Sequence, residues 1–249
     1  AQATFGANQA DITRLRQIGY RRWLDEQLDP ARNAPTLILP HLQQVVANGV
    51  LRDDLRQQDR RNAWLWKAAT SPDQLRMRMA FALSEIFVVS DREVANANAT
   101  LYRIADYQDM LARGAFGSYR DLLEQVTLHP AMGYFLSHAG NAKADPARNT
   151  TPDENYGREV MQLFSIGLHE LNADGSAKLN AGARIDTYTS ADIGGMARVF
   201  TGWSWACPAW PANSCFFSGS SNSVSDPDRQ FKPMLGYAQY HSIEVKNFL

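Results

Sequence analysis

The chain has 249 residues, of which 45% are hydrophobic and 20% are charged, and its formal net charge at pH 7 is −1. These values are ordinary for a globular protein with a full core, and they do not indicate a nucleic-acid-binding protein or attraction to an anionic membrane. The longest apolar run, residues 79–89, is interrupted by Ser84 and Glu85 and is too short to span a bilayer. We therefore predict one or two domains, no membrane span and no nucleic-acid partner.

Helical patterns follow one another through the first two-thirds of the chain. Capping residues, stop signals and apolar periodicity predict helices over residues 9–18, 20–28, 41–47, 51–69, 72–89, 95–112, 119–129 and 131–137. The helix at 72–89 begins with Ser71-Pro72-Asp73-Gln74, which has the pattern of a capping box with Pro at the first helical position. These segments predict a mainly α fold.

The pattern changes after residue 167. Short strands over residues 168–171 and 177–179 flank a predicted hairpin turn at residues 172–175. Asn172, Asp174 and Gly175 resemble part of a calcium loop, but the other ligands and the closing Glu are missing, so an ordinary turn is predicted. A last helix over residues 190–201 is capped by Thr189 and Asp192, and loops follow it.

The stretch 151–167 is predicted to be the central helix. Thr151 fits the cap, Pro152 the first helical position and Glu154 the reciprocal position of a capping box, while Gly167 ends the helix. At about 100° per residue, one face carries four polar side chains and another face is apolar. The polar four are Asn155, Arg158, Glu159 and Gln162.

This polar face differs from an ordinary solvated one because it is not rich in Lys and Glu. Side chains three and four residues apart on a helix can meet, so the face suits either a buried hydrogen-bond network or a ligand site. The pattern leaves both alternatives open. We expect Arg158 and Glu159 to be substantially buried, each with a partner, because they flank an apolar stripe.

The two cysteines, Cys207 and Cys215, lie close together in a segment rich in Pro, Asn and Ser. A disulfide is predicted, which would place the protein in an oxidising compartment; two free thiols in a cytosolic protein are the alternative. The same segment is rich in aromatic residues, which suits a small core under the loop or a binding platform for sugars and similar ligands. We expect Trp203 to be buried and Trp205 or Trp210 to stay partly exposed.

Standard catalytic signatures are missing from the sequence. It contains no G-x-S-x-G, no H-E-x-x-H and no P-loop, and its five His residues have no recognised ligand spacing. The sequence therefore predicts no metal site and names no cofactor.

Several motifs nevertheless occur in a characteristic order. They are His129-Pro-Ala-Met132, Asp153-Glu-Asn-Tyr156 with Arg158-Glu159 and Leu163, Tyr188-Thr189 with Asp192, and Ala197-Arg198-Val-Phe-Thr-Gly-Trp203. With these motifs the chain resembles the bacterial domain-of-unknown-function family eighteen hundred over almost its whole length. The opening AQATFG, residues 76–84, and His241 with Lys246-Asn-Phe-Leu249 fit the same pattern.

The core motif of that family usually reads N-E-N-Y-A-R-E, and this chain departs from it at two positions. Asp153 replaces the first Asn, and Gly157 replaces the Ala. Because Gly costs a helix about 1 kcal/mol relative to Ala, we expect another backbone to approach closely at Gly157.

The resemblance implies an exported, helix-rich protein of the periplasm or the extracellular space. It implies a possible partner, since genes of the family often neighbour those of a second exported, sulfatase-like family. It also implies that the family's domain continues beyond Leu249, so a C-terminal part is expected to be missing. The resemblance settles no reaction and no cofactor.

Together these observations predict a multi-helix globular array with one small β-hairpin. Residues 1–203 would form a helical domain, and residues 204–249 a loop-rich extension of it, held by the disulfide. Two functions stay open: an exported hydrolase-like enzyme, and a non-catalytic scaffold or partner protein in which the polar face is structural.

In the hydrolase hypothesis, Glu159 is the acid/base, Glu154 a second carboxylate and Arg158 an anion clamp. The substrate would be bound by Asn155, Gln162, Trp205 and Trp210. Glu154 and Glu159 lie about 140° apart around a helix, so they cannot share a face. A carboxylate paired with Glu159 would therefore come from elsewhere, with Glu85 and Asp192 as candidates.

Overall fold

A computed structural model of the chain describes residues 2–91 and 97–249. Helices dominate this described part, and its strands form only short antiparallel pairs, which confirms the mainly α prediction. The predicted helix start at Ala95 lies outside the described residues, as does Ala1 of the opening motif. None of the described helices is both long and apolar enough to cross a membrane. The chain divides into two compact units, with the boundary between Val126 and Thr127.

The first unit is built from helices around the central pair α4 and α5, which pack on each other. Its helices are α1 (Gln9–Leu28), α2 (Leu39–Ala47), α3 (Gln57–Thr70), α4 (Gln74–Ile86), α5 (Ala97–Gly114) and most of α6 (Tyr119–Leu128). The core side chains include Met77, Phe87, Leu101, Ala105 and Leu111. Arg52–Asp54 forms a short 3-10 turn before α3.

Helix α1 joins the two helices predicted at residues 9–18 and 20–28. Asn8 and Asp11 form the expected capping box at its start. Gly19 interrupts the helix with φ 77° and ψ 163°, a conformation open to Gly and strained for other residues. Across this kink, Arg14 Nη2 lies 2.7 Å from Glu26 Oε2, which draws the two halves of the helix together.

Helix α4 starts differently from the prediction. Asp73, not Ser71, is the residue before the helix, and its carboxylate accepts hydrogen bonds from the N–H and hydroxyl of Thr36, at 2.7 and 2.6 Å. The cap comes from α1, because Gln27 Oε1 accepts the N–H of Leu75 at 3.0 Å. A side chain 48 residues away thus replaces the predicted local capping box.

Helix α2 is capped in the same long-range manner. The buried Asp109 of α5 accepts the N–H groups of Ile38 and Leu39, at 2.6 and 2.8 Å. These bonds satisfy donors at the start of a helix that has no capping side chain of its own among the described residues. Burial raises the pKa of Asp109 to about 7, although both bonds oppose the shift.

The second unit, Thr127–Leu249, has shorter elements. Its helices are α7 (Pro130–Phe135), α8 (Asn155–Gln162), α9 (Ser190–Val199) and α10 (Asn213–Ser218). Its strands pair as β1 (Leu179–Asn180) with β2 (Ala183–Arg184), β3 (Trp203–Ser204) with β6 (Leu235–Gly236), and β4 (Ser220–Ser221) with β5 (Val224–Ser225). Trp203 lies opposite Gly236, and Leu179 opposite Arg184.

The hairpin turn predicted at residues 172–175 is present, since Asn172 N donates to Ser176 O at 2.8 Å and Gly175 N to Asn172 O at 2.9 Å. The two segments that flank the turn are joined by a single-residue bridge between Leu171 and Ala177 and do not form the predicted regular strand pair. The regular strand pairing lies further along the chain, between β1 and β2. Ala181 and Gly182, which both have positive φ, form the turn between these strands.

The disulfide prediction is confirmed, because Cys207 and Cys215 are bonded to each other. The bond lies against a small core made of Phe216 and Tyr237, both of which are fully buried. Phe216 also stacks on Tyr240, with ring centroids 3.9 Å apart. The aromatic segment therefore forms a core of its own under the disulfide-closed loop.

Helices α8 and α9 pack closely, as Gly157 predicts. A Cβ added at Gly157 would lie 3.2 Å from the backbone N of Ala197 and 3.3 Å from Met196 Cγ. Helix α9 begins with the expected capping box, since Thr189 N donates to Asp192 Oδ2 at 2.7 Å.

Residues 242–249 run along α9. Arg198 binds Glu244, with 3.0 Å between Nε and Oε2, and donates to the backbone O of Val245 at 3.1 Å. Leu249 N donates to Asp192 Oδ1 at 3.1 Å. A Cβ at Gly195 would lie 2.0 Å from Asn247 O, so Gly195 permits this contact.

Two adjacent glycines of α9 provide a test of this packing. Gly194→Ala should stabilise the protein by about 0.5–1 kcal/mol, since a Cβ there meets only Glu154 Oε1 at 4.0 Å and Ala is the better helix former. Gly195→Ala should destabilise it by about 1–3 kcal/mol, because residue 247 must move. Thermal denaturation measures both changes. An increase in Tm for both variants would contradict the packing of residues 242–249 on α9.

Candidate functional site

The start of α8 is set by Asn141 rather than by Thr151. Asn141 Oδ1 accepts the N–H of Asp153 at 2.9 Å, and Asn141 Nδ2 donates to Asp153 O at 3.2 Å. These bonds hold residue 153 outside the helix, so the predicted cap at Thr151, the predicted N1 position of Pro152 and the capping role of Glu154 are wrong. Asp153 Oδ1 instead accepts the N–H of Asn155 at 2.8 Å.

The same Asn141 also fixes the chain that leaves α9. Its backbone O accepts the N–H of Gly202 at 2.7 Å, and the neighbouring Gly140 N donates to Trp203 O at 2.8 Å. Asn141 itself is 8% exposed. One buried amide residue therefore links the start of α8 to the segment that begins β3.

The inner face of α8 rests on an aromatic cluster. Tyr156 is 1% exposed and stacks on His138, with ring centroids 3.8 Å apart. The ring of Phe200 meets Tyr156 edge-on at 4.7 Å. Both polar tips reach Thr127: the hydroxyl of Tyr156 lies 2.7 Å from its Oγ1, and Nε2 of His138 lies 2.8 Å from its backbone O.

Burial keeps this cluster uncharged. It lowers the pKa of His138 to about 4, although the hydrogen bond to Thr127 O opposes the shift. Burial also raises the pKa of Tyr156. Because the carbonyl of Thr127 can only accept, Nε2 of the neutral imidazole carries the proton. Nδ1 of His138 is buried and has no hydrogen-bond partner within residues 2–91 and 97–249.

The outer face of α8 is more exposed than predicted. Arg158 Nη2 lies 3.1 Å from Glu154 Oε2, and the two side chains are 43% and 49% exposed. The expectation that Arg158 is buried is therefore wrong: the helix starts late, and Arg158 pairs across one turn at the surface. An exposed pair of this kind contributes at most about 1 kcal/mol to stability. Asn155 is also exposed.

Glu159 differs from its neighbours. The residue is partly buried, and its Oε2 has no accessible surface and no hydrogen-bond partner in the described part of the chain. One turn further, Gln162 Oε1 accepts the hydroxyl of Tyr188 at 3.4 Å. A carboxylate oxygen removed from water without a donor is costly, which makes Glu159 the unusual group of this helix.

The two carboxylates suggested as partners for Glu159 have other positions. Asp192 accepts hydrogen bonds from Thr189 and from Leu249 N, and the bonds from Thr189 are the main cause of its lowered pKa. Glu85 is exposed on α4 in the first unit. Within the described ranges, no three or more His, Cys, Asp and Glu side chains are grouped so that they could hold a metal ion.

The predicted substrate-binding tryptophans belong to the disulfide-closed region. Trp210 is 51% exposed and donates from Nε1 to Gly236 O at 3.0 Å. Trp205 is partly exposed, and its backbone O accepts the hydroxyl of Tyr237 at 2.7 Å. The expected exposure is confirmed, whereas Trp203 is partly exposed rather than buried.

The sequence pattern indicates no role for Asn141 and gives no reason to group His138 with Tyr156. Asn141 lies 12 residues before its partner Asp153, in a connection that carries no periodicity. The polar composition of that connection, residues 138–149, was the only sign of its importance.

Comparison with known proteins now identifies the family. The family model described as "Protein of unknown function (DUF1800)" matches residues 1–249. The chain belongs to this family. No curated protein and no solved structure matches it. The family's description assigns it no activity.

The neutral state of His138 predicts an acid sensitivity. Its folded pKa of about 4 lies below the ordinary value of 6.5, so stability is complete above pH 6.5 and falls as the pH drops toward 4. At about pH 5 the loss is on the order of 2 kcal/mol. His138→Phe, which keeps a ring against Tyr156, should remove this part of the pH dependence.

Urea unfolding at about pH 7.5 and about pH 5 measures the effect. His169→Gln is the matched control, because His169 lies at the surface beside Asp186. An unchanged difference between the two pH values in His138→Phe would show that His138 is not the group responsible.

Proposed function

We propose that the protein is an exported hydrolase-like enzyme whose site is the outer face of α8. The observation that carries the proposal is Glu159, whose Oε2 is buried and lacks a donor among the described side chains. In this proposal the partly buried Glu159 side chain turns toward solvent when a substrate binds, and a substrate hydroxyl, amide or attacking water then supplies the missing donor. A carboxylate held in this way suits general acid–base catalysis, which contributes about 10²–10⁴ in rate.

The neighbouring side chains have matching roles in this proposal. Arg158 is half-exposed, and among the described residues its side chain is held only by a surface ion pair, so it can turn from Glu154 to a substrate anion. Glu154 would then be the second carboxylate. Asn155 and Gln162 would orient the substrate, and the exposed faces of Trp205 and Trp210 would bind apolar parts of it. Export is supported by the disulfide, since such bonds persist in oxidising compartments.

A second candidate is a non-catalytic partner-binding protein. It is favoured by the apolar side chains exposed between the end of α8 and β1. Leu163, Ile166, Leu168, Leu171 and Leu179 are each 43–60% exposed. Exposed apolar side chains grouped in this way are typical of interaction surfaces. The sulfatase-like exported protein implied by the family resemblance is the partner to test.

Glu159→Gln distinguishes the two functions. We expect the variant to fold with a Tm close to that of the unmodified protein, since it keeps the shape of the side chain. It should lose at least about 100-fold in hydrolysis of ester, amide, glycoside and sulfate-ester substrates, because the acid/base is removed. Glu170→Gln, at a surface ion pair with Lys178, is the control and should stay active.

The same variants should be tested for rescue of a gene-deletion strain. Failure of Glu159→Gln with normal rescue by Glu170→Gln supports the enzyme. Full rescue by Glu159→Gln contradicts it. Loss of rescue in Leu168→Asp together with full rescue by Glu159→Gln would favour the partner-binding protein.

A further inference from the structure

A cleft of about 840 Å³ opens in the first unit, between the N-terminal segment, α1 and the corner that joins α3 to α4. This volume is within the range of sites for small ligands, about 300–1,000 Å³. Its wall includes Arg14, Tyr20, Trp23, Glu26, Asn33 and Ser71. The proposed function on α8 uses none of these residues.

The cleft is shaped by the kink in α1. Gly19 turns the helix, and the ion pair of Arg14 with Glu26 holds its two halves together at 2.7 Å. Gln27 is fixed by both ends of its amide: Nε2 donates to Pro72 O at 2.9 Å and Oε1 accepts from Leu75 N. The wall is therefore held in place by contacts across α1 and α4, not by local loop structure.

The wall carries two acidic and two basic side chains, and each of them has an ion-pair or hydrogen-bond partner. Arg14 pairs with Glu26, and Arg32 pairs with Asp29, with 3.3 Å between Nε and Oδ2. Asp11 accepts the N–H of Asn8 at 3.2 Å in the cap of α1. With two acids and two arginines already engaged, the cleft has little excess charge for an ionic ligand.

Apart from these charged side chains, the wall of the cleft includes aromatic rings and neutral polar side chains. Tyr20 is 75% exposed, and Trp23 is partly exposed. Ser71 is 8% exposed, and its hydroxyl has no hydrogen-bond partner in the described chain, since Gln27 has taken its expected capping role. Because the Ser71 Oγ atom has no accessible surface, the groups within reach of a ligand are the aromatic faces and the more exposed polar side chains of Thr4, Asn8 and Thr70. Such a set suits a ligand with hydroxyl groups and apolar CH faces.

We propose that this cleft binds a neutral saccharide. Trp23 and Tyr20 would contact the sugar faces, and exposed polar side chains of the wall such as Asn8 and Thr70 would exchange hydrogen bonds with its hydroxyls. The inference stands independently of the function proposed for α8, since it rests on residues of the first unit alone.

The test is isothermal titration of the whole chain with defined probes. These are maltotriose, cellotriose and tri-N-acetylchitotriose, with trigalacturonate as an anionic comparison and triglycine as a peptide comparison. We expect at least one neutral trisaccharide to bind with a Kd below about 1 mM. Trp23→Ala and Tyr20→Ala should each weaken that binding at least about tenfold.

Tyr20 is so exposed that its replacement should not affect folding, which keeps the test valid if Trp23→Ala is unstable. Trp66→Ala, a 59% exposed tryptophan of α3 outside the cleft, is the matched control and should bind normally. The proposal is overturned if no neutral trisaccharide binds at about 10 mM. It is also overturned if only trigalacturonate or triglycine binds, or if Tyr20→Ala binds as well as Trp66→Ala.

Discussion

The second unit depends on one buried amide side chain. Asn141 binds both the N–H and the C=O of Asp153, and its own carbonyl accepts the N–H of Gly202. These bonds satisfy backbone groups that a helix start or a strand ladder would otherwise have to pair. They place the beginning of α8 and the beginning of β3 on the same short connection.

The two faces of α8 illustrate opposite uses of polar side chains. On the inner face, Tyr156 and the His138 ring stacked on it are buried in neutral form, and the Tyr156 hydroxyl and His138 Nε2 bind Thr127. On the outer face, Arg158 and Glu154 pair in contact with solvent. Glu159 is neither paired inside the protein nor in contact with solvent at its Oε2 atom, which is buried without a donor in the described chain. This mismatch makes Glu159, rather than the whole polar face, the focus of the proposed chemistry.

The sequence predicted what local patterns determine and missed what distant residues determine. The capping boxes at Asn8 and Thr189 were predictable because cap and partner lie three residues apart. The close approach at Gly157 followed from the cost of Gly in a helix. The start of α4 was misplaced because Gln27 caps it across 48 residues, and the start of α8 because Asn141 holds Asp153, just before the helix, across 12 residues. The burial of Arg158 was misjudged because it depends on what packs beside α8, which helical periodicity does not reveal.

Amide hydrogen exchange of α8 in the Asn141→Ala variant tests this account most directly. Loss of the side chain leaves the partly buried N–H and C=O groups of Asp153 without their hydrogen-bond partner, a cost of about 1–3 kcal/mol. We predict that the amides of Arg158 and Leu163, which bond within α8, exchange roughly ten- to hundredfold faster in this variant than in the unmodified protein. The amides of α5, in the first unit, should keep their rates and act as the internal reference. Unchanged exchange in α8 would contradict the claim that Asn141 sets the position of this helix and of the site on it.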